Sequence, residues 1–396
     1  MATTAVRSFP DGFSWGTATA AHQIEGGNTN NDWWEFEHAA GTKCAESSGD
    51  GCDSWNRWEE DADLVARLGF DNYRFSVEWS RIEPAQGEIS RGALAHYRRQ
   101  CEGLRARGID PVVTFHHFTT PRWLAEQGGW ETPLAIERFE RFCTVVAEEL
   151  APVMTRACTI NEPNIVATMG WHAGMFPPGK TDKDLSYRVG ANLVAGHRAA
   201  VQAIRAAAPG IPVGLTLSMT DYQLAPGGEE RLESIRHHAE DVFLDGTAGD
   251  DFLGVQVYTR MRIGPEGWAG YEAGVPVLDM GYEFYPQSLG NCLRRAWSYT
   301  GGALPLLVTE NGIGTTDDAQ RIEYVRQALH GVLDTIADGV DVRGYTYWSL
   351  LDNFEWAFGY RPRFGLVAVD RSTFARAPKR SAEWLASIVR AQTLDE

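Results

Sequence analysis

Two glutamates stand where short apolar runs end: Glu162 closes Thr159-Ile-Asn-Glu162-Pro, and Glu310 closes Val308-Thr-Glu310-Asn-Gly. An unpaired carboxylate is costly to bury in a strand interior. A Glu placed directly after a β run and directly before Pro or Asn-Gly therefore has another task. Each could cap the helix that follows, or pair with an arginine such as Arg74. Two of them in the same kind of place point instead to acid and base work. Paired carboxylates flanking a reacting bond suit glycoside hydrolysis, where one gives a proton to the leaving oxygen and the other attacks or activates water.

Positioning two such groups requires a scaffold of strand ends. Apolar, β-branched runs precede turns at 13–18, 71–77, 110–115, 157–161, 213–217, 253–258, 306–309 and 345–349, eight in all. Helical stripes lie between them: Trp55, Trp58, Ala62, Val65 and Leu68 recur at helical spacing, as do Leu185, Val189, Leu193, Val201 and Ile204. Arg67-Leu-Gly-Phe70 and Arg107-Gly-Ile-Asp110 end helices in a glycine cap just before a strand. Length alone, 396 residues, would allow two or three domains. Eight strand-helix units without low-complexity linkers predict one α/β domain over residues 1–396, a single (β/α)8 TIM barrel. Its carboxylates then sit at the carboxyl ends of strands four and seven. A doubly wound sheet is the competing architecture, but no Gly-rich dinucleotide or phosphate loop follows any strand.

Composition narrows the partners. Asp and Glu number 53 against 36 Lys and Arg, a net charge of −17 that repels nucleic acid and anionic lipid surfaces. Fourteen Trp suit both cores and sugar rings. The start, residues 1–13, has no signal-peptide pattern, and no apolar run reaches the eighteen or so residues of a membrane span; a cytoplasmic location is expected. Cys101, Cys143, Cys158 and Cys292 fall in periodic segments and read as buried thiols. Only Cys44 and Cys52 share a Gly-rich loop and could close a ring, which a reducing compartment opposes. His22, His116, His117, His172 and His197 form no metal-binding pattern, since His116 and His117 face opposite sides of a strand. No metal and no cofactor are expected. His197 reads as a satisfied core histidine, Glu59, Glu60, Asp61 and Asp63 as a solvated helix face, and Glu229 with Glu230 as a loop or helix start.

Longer motifs surround the two glutamates. They are Phe9-Pro-Asp-Gly-Phe-Ser-Trp-Gly-Thr-Ala-Thr-Ala-Ala-His-Gln23-Ile-Glu-Gly26, Trp348-Ser-Leu-Leu-Asp-Asn-Phe-Glu355-Trp356 and Arg363-Phe-Gly-Leu-Val-Ala-Val-Asp370. With these the chain resembles glycoside hydrolase family 1, the β-glucosidase-like family, from Phe9 to about Trp384. The resemblance implies a retaining mechanism, with Glu310 as nucleophile and Glu162 as acid/base. Arg74 would hold Glu310 ionised, Tyr258 would orient it, and burial beside Glu310 would keep Glu162 protonated.

The same resemblance assigns the sugar site. Gln23 and Glu355 would bond vicinal hydroxyls, each offering two polar atoms. His117 and Asn161 add polar contacts, Asn161 at the 2-hydroxyl. Trp348 and Trp356 would present ring faces and Phe364 an apolar wall. Partners are then small β-glycosides: β-glucosides first, β-galactosides or β-fucosides second, with phosphorylated sugars repelled by the Glu355 carboxylate.

Three residues depart from the family pattern: Gln256 where Asn is common, Phe118 where Trp follows the motif His, and Asn164 where a bulky aromatic is frequent. The stretch from Val213 to Val257 reads as little beyond one helix, and that from Tyr258 to Tyr285 as a compact loop. A roomier or more polar aglycone site follows. A carbohydrate-binding protein on a disabled barrel would not need both glutamates. A transglycosidase, with a sugar in place of water as acceptor, would use every residue named here.

Overall fold

The computed structural model describes residues 6–395. Eight parallel strands close on themselves: β1 (Ser14–Ala18), β2 (Asn72–Ser76), β3 (Asp110–His116), β4 (Arg156–Asn161), β5 (Val213–Ser218), β6 (Phe252–Gln256), β7 (Leu306–Glu310) and β8 (Val342–Trp348), in that order around the ring, with β8 bonded back to β1. Each is covered on both faces, so the strands are almost continuously buried and show no alternation of apolar and polar residues.

The outer ring holds α1 (Ser54–Leu68), α2 (Arg91–Ala106), α3 (Pro133–Leu150), α4 (Lys183–Ala207), α5 (Glu229–Arg236, continuing through a π turn into Val242–Gly246), α6 (Ser288–Tyr299), α7 (Asp318–Ala337) and α8 (Arg380–Ala391). The stripe Ala62, Val65 and Leu68 buries the inner face of α1. Gly69, at φ 84°, ends that helix in the left-handed conformation that favours glycine, and turns the chain into β2. Glu229 and Glu230 form the first turn of α5, where acidic side chains suit the helix dipole. No helix among the described residues is long and apolar enough to cross a membrane.

Three expectations change. Asp61 is not on a solvated face: it is 2% exposed and pairs with Arg376 at 3.0 Å, a partner too distant in sequence to foresee. Its neighbours Glu59, Glu60 and Asp63 are exposed as expected. The loops after β5 and β6 are also more structured than expected, because Asp221–Leu224 pairs in parallel with Arg260–Gly264, which turns back on Gly267–Trp268. These strands are short and half polar, so no periodicity marks them. Finally, β6 ends at Gln256 and leaves Tyr258 in the loop beyond it.

His197 lies in the core as expected, with Thr159 Oγ1 2.7 Å from Nδ1, but its Nε2, 3.2 Å from Asp250 Oδ1, has no hydrogen-bond partner. All six cysteines are thiols, five of them buried.

Candidate active site

Glu310 is the last residue of β7 and is buried. Arg74, from the middle of β2, donates Nη1 to Glu310 Oε1 at 2.6 Å, and Tyr258 donates its hydroxyl to Oε2 at 2.6 Å. The pairing with an arginine that sequence allowed is thus real for Glu310. Arg74 cannot turn away, because Nη2 donates to Asn161 Oδ1 at 2.6 Å and lies 3.3 Å from Thr216 Oγ1. Just beyond Glu310, a Cβ on Gly312 would stand 2.1 Å from the Trp348 carbonyl oxygen, so only glycine lets this loop approach the end of β8.

Glu162 follows β4 directly. Its backbone lies in the left-handed region (φ 44°, ψ 58°), and its N–H bonds the Thr216 carbonyl at 2.8 Å. It precedes the short helix Pro163–Ala167 without capping it through its side chain, which removes the capping explanation. Its Oε1 is buried and unpartnered. Burial, and then the charge of Glu310, push its carboxyl up to about 8, against a Ser218 hydrogen bond and Arg74. Burial raises Glu310 as well, but there Arg74, Tyr258 and the Gln256 amide oppose it. The first proton of the pair therefore leaves Glu310, and its charge keeps the second on Glu162.

Asn161 Oδ1 is fully engaged, by Arg74, by Thr216 and by Gln256 Nε2 at 3.1 Å. Gln256, the departure from the family's Asn, thus still supplies an amide to the site. Asn161 Nδ2 lies 3.1 Å from His117 Nε2. Burial and Arg74 depress the His117 pKa well below the usual histidine range, so the ring is neutral. With Asn161 Nδ2 donating to Nε2, the proton sits on His117 Nδ1, which is buried and unpartnered.

Beside them Trp348 lies near-parallel to His117 (5.7 Å, 21°), and Trp356 near-parallel to both His117 (6.1 Å, 14°) and His22 (5.7 Å, 8°). Phe364 stands edge-on to Tyr258 at 5.8 Å and closes the wall with Ala18, Ala20 and Trp348. Phe118 packs on Trp356 at 5.0 Å, filling the place with apolar surface and no N–H.

Gln23 differs from the expected two-atom donor and acceptor. Its Nε2 donates to Asn353 Oδ1 at 3.1 Å and to the Phe354 carbonyl at 2.6 Å, which leaves only Oε1 free to accept. Glu355 accepts from Trp348 Nε1 at 3.4 Å, and burial raises its carboxyl well above the usual range. The side chains that act on it most strongly are Trp348, Glu310, Asp352 and Gln23.

All eleven expected residues line one mouth of the barrel or its immediate support. Sequence reasoning missed Thr216, which braces Asn161 from β5, Ser218, which stands beside the Glu162 carboxyl, and Tyr282, whose buried hydroxyl lies near Glu355 with no partner. Thr216 and Ser218 sit at the end of a run already read as a strand, which was an available signal. Tyr282 lies in a loop with none. Asn353 lies within the Trp348-Ser-Leu-Leu-Asp-Asn-Phe-Glu355-Trp356 motif, and only its contact with Gln23 singles it out.

Comparison with known proteins agrees with this geometry. The family model described as glycosyl hydrolase family 1 matches residues 5–252 and 257–394. A β-glucosidase from Agrobacterium sp. is 32% identical, over 96% of this chain and 95% of its own. A bifunctional β-D-glucosidase/β-D-fucosidase from Bifidobacterium breve is likewise 32% identical, over 95% and 97% of the two chains. The solved β-glycosidase from Pyrococcus horikoshii superposes with a TM-score of 0.92 at 34% identity, over 98% of this chain and 96% of that one. Full-length similarity in sequence and fold, with the two glutamates at the ends of β4 and β7, makes this chain a member of glycosyl hydrolase family 1.

Proposed function

We propose that the protein is a retaining β-glycosidase that cleaves terminal, unphosphorylated β-glucosides, with β-galactosides and β-fucosides as secondary substrates. The observation that carries this reading is the unequal treatment of two buried carboxyls. Glu310, held by Arg74 and Tyr258, is ionised and attacks the anomeric carbon. Glu162, buried and free at Oε1, is protonated and gives its proton to the departing oxygen. The C–O bond to the aglycone breaks as the bond to Glu310 forms. Glu162, now a carboxylate, takes a proton from water, and the hydroxide released cleaves the glycosyl ester.

The sugar lies against Trp348, between the Oε1 acceptor of Gln23 and the Nδ1 donor of His117, with Glu355 at its distal edge. A phosphate there would lose its water and find no counter-charge, which disfavours 6-phosphorylated sugars. One catalytic domain suffices for all of this, and the six free thiols fit a reducing, cytoplasmic setting.

The test replaces Glu310 by glycine. Glu310→Gly should abolish hydrolysis of 4-nitrophenyl β-glucoside, since no covalent step remains. Azide should restore part of the rate and yield the α-glycosyl azide, of inverted configuration. Near-normal hydrolysis without azide would overturn the assignment.

A further inference from the structure

A cleft of about 250 Å3 lies between α4 and α5. It reaches toward Glu162 through Asn164, two residues further along the chain, and Ser218, a neighbour of the Glu162 carboxyl, both of which line it. Asn164 is tied through Nδ2 to the carbonyls of Ser218 (2.7 Å) and Ala239 (2.9 Å), so it braces β5 against α5 with a smaller side chain than an aromatic at the cleft wall. Its Oδ1 is a buried acceptor without a partner, on a side chain 6% exposed.

The lining has two characters. Ile165, Ala167, Val242 and Phe243 make an apolar floor, while Lys183 and Arg231 stand at the rim. Tyr187 joins the two: it stacks on His238 at 3.9 Å and 22°, and Lys183 lies over its ring at 5.5 Å. No Asp or Glu lines the cleft, in a chain whose net charge is −17. Nearby cations are consumed, Lys180 by Glu131 and Arg295 by Glu240 and Asp241, yet Lys183 and Arg231 enter no ion pair among the described residues. A dry apolar cavity of about 150 Å3 accommodates benzene, so this cleft has room for a ring with a substituent.

We infer that this cleft selects the leaving group, and that the preferred aglycone is an aromatic ring bearing a carboxylate. The inference rests on the glycosidase reading above. The ring would lie on the apolar floor with its phenolic oxygen toward Glu162 and its carboxylate toward Lys183 and Arg231. The chemistry is unchanged: the glycosidic C–O bond breaks, Glu310 takes the anomeric carbon, and the Glu162 proton leaves on the phenol. A protonated Glu162 does not repel the incoming anion.

The experiment compares 4-carboxyphenyl with 4-carbamoylphenyl β-glucoside, an anion and its neutral near-isostere. The amide is the more electron-withdrawing group, so any preference for the acid arises from binding and not from leaving-group ability. Wild-type enzyme should favour the acid in kcat/KM by about tenfold at low salt, less as salt screens the rim charges. In the Lys183→Gln/Arg231→Gln double variant the acid-to-amide ratio should fall to about one. Arg67→Gln, which removes a charge from α1 across the barrel, should keep the wild-type ratio. An acid-to-amide ratio near one in wild type, or one the double variant leaves unchanged, overturns the assignment of the cleft while turnover of 4-nitrophenyl β-glucoside upholds the glycosidase reading. Failure of wild type to cleave any of the three β-glucosides overturns that reading itself.

Discussion

Tyr258 and Glu310 are joined by a 2.6 Å hydrogen bond from the phenolic hydroxyl to Oε2, while Arg74 holds Oε1 at the same distance. Both carboxylate oxygens are thus fixed, and the carboxylate cannot rotate freely. Tyr258 comes from the loop beyond β6, Arg74 from β2 and Glu310 from β7. The Glu310 carboxylate is oriented by chain segments that meet only in the closed barrel.

Removing the phenolic hydroxyl should expose what that bond does. A hydrogen bond to a charged group favours the charged form, so Tyr258→Phe should raise the Glu310 pKa and shift the acid limb of kcat/KM to higher pH. The rate at neutral pH should fall about ten- to hundredfold, as expected for one hydrogen bond to an ion. The pH profile of 4-nitrophenyl β-glucoside hydrolysis measures both, and an unmoved acid limb would assign Tyr258 a packing role only.

On the proposed mechanism the basic limb should belong to Glu162. It acts in its protonated form, and its carboxyl is pushed up to about 8, so kcat/KM should fall as pH rises through that value. Glu162→Ala should lose this limb. Poor leaving groups should suffer about a hundred- to ten-thousandfold, and activated aryl glycosides far less, because they need little proton assistance. Azide should give the β-glycosyl azide, the opposite anomer to that formed with Glu310→Gly. Equal losses across leaving groups would contradict the role.

The same raised pKa has a cost in stability. Between the unfolded value of about 4.3 and the folded value, the native state binds the extra proton, so folding weakens as pH rises across that window. Each pH unit is worth up to about 1.4 kcal/mol at full effect. Glu162→Gln, which carries no charge, should therefore gain stability over wild type increasingly from about pH 5 to about pH 8. Urea unfolding at several pH values would show it, and a difference independent of pH would not fit.

Arg74 should matter to the fold as well as to the reaction. It is 1% exposed at its side chain beside a Glu310 side chain 4% exposed, and its removal strands a buried carboxylate. Arg74→Ala should cost about 3–5 kcal/mol in denaturant unfolding. Arg74→Lys keeps the charge but lacks the planar fork that reaches Glu310 and Asn161 together, so it should recover more stability than activity.

At the distal edge, 4-nitrophenyl β-glucoside should be cleaved far better than its 6-phosphate. Glu355→Ser removes a buried acid and should narrow that gap in kcat/KM without inverting it. A higher kcat/KM for the phosphorylated substrate in wild type would refute the exclusion.

Much of this protein was readable in its sequence because local physics writes it there. Strands buried on both faces become apolar runs, helices show stripes such as Ala62, Val65 and Leu68, and chemistry at strand ends leaves Glu162 and Glu310 just where such runs stop. The tertiary structure decided how those groups behave. Asp61 became an interior ion because Arg376 folds onto it. Gln23 lost its donor because Asn353 and Phe354 take both amide hydrogens. Burial raises the Glu355 carboxyl above its usual range, and the cleft between α4 and α5 brings together Asn164, Lys183 and Arg231 from separate elements. Charge state, hydrogen-bond occupancy and cavity shape depend on neighbours far apart in the chain, and a sequence read segment by segment does not contain those neighbours.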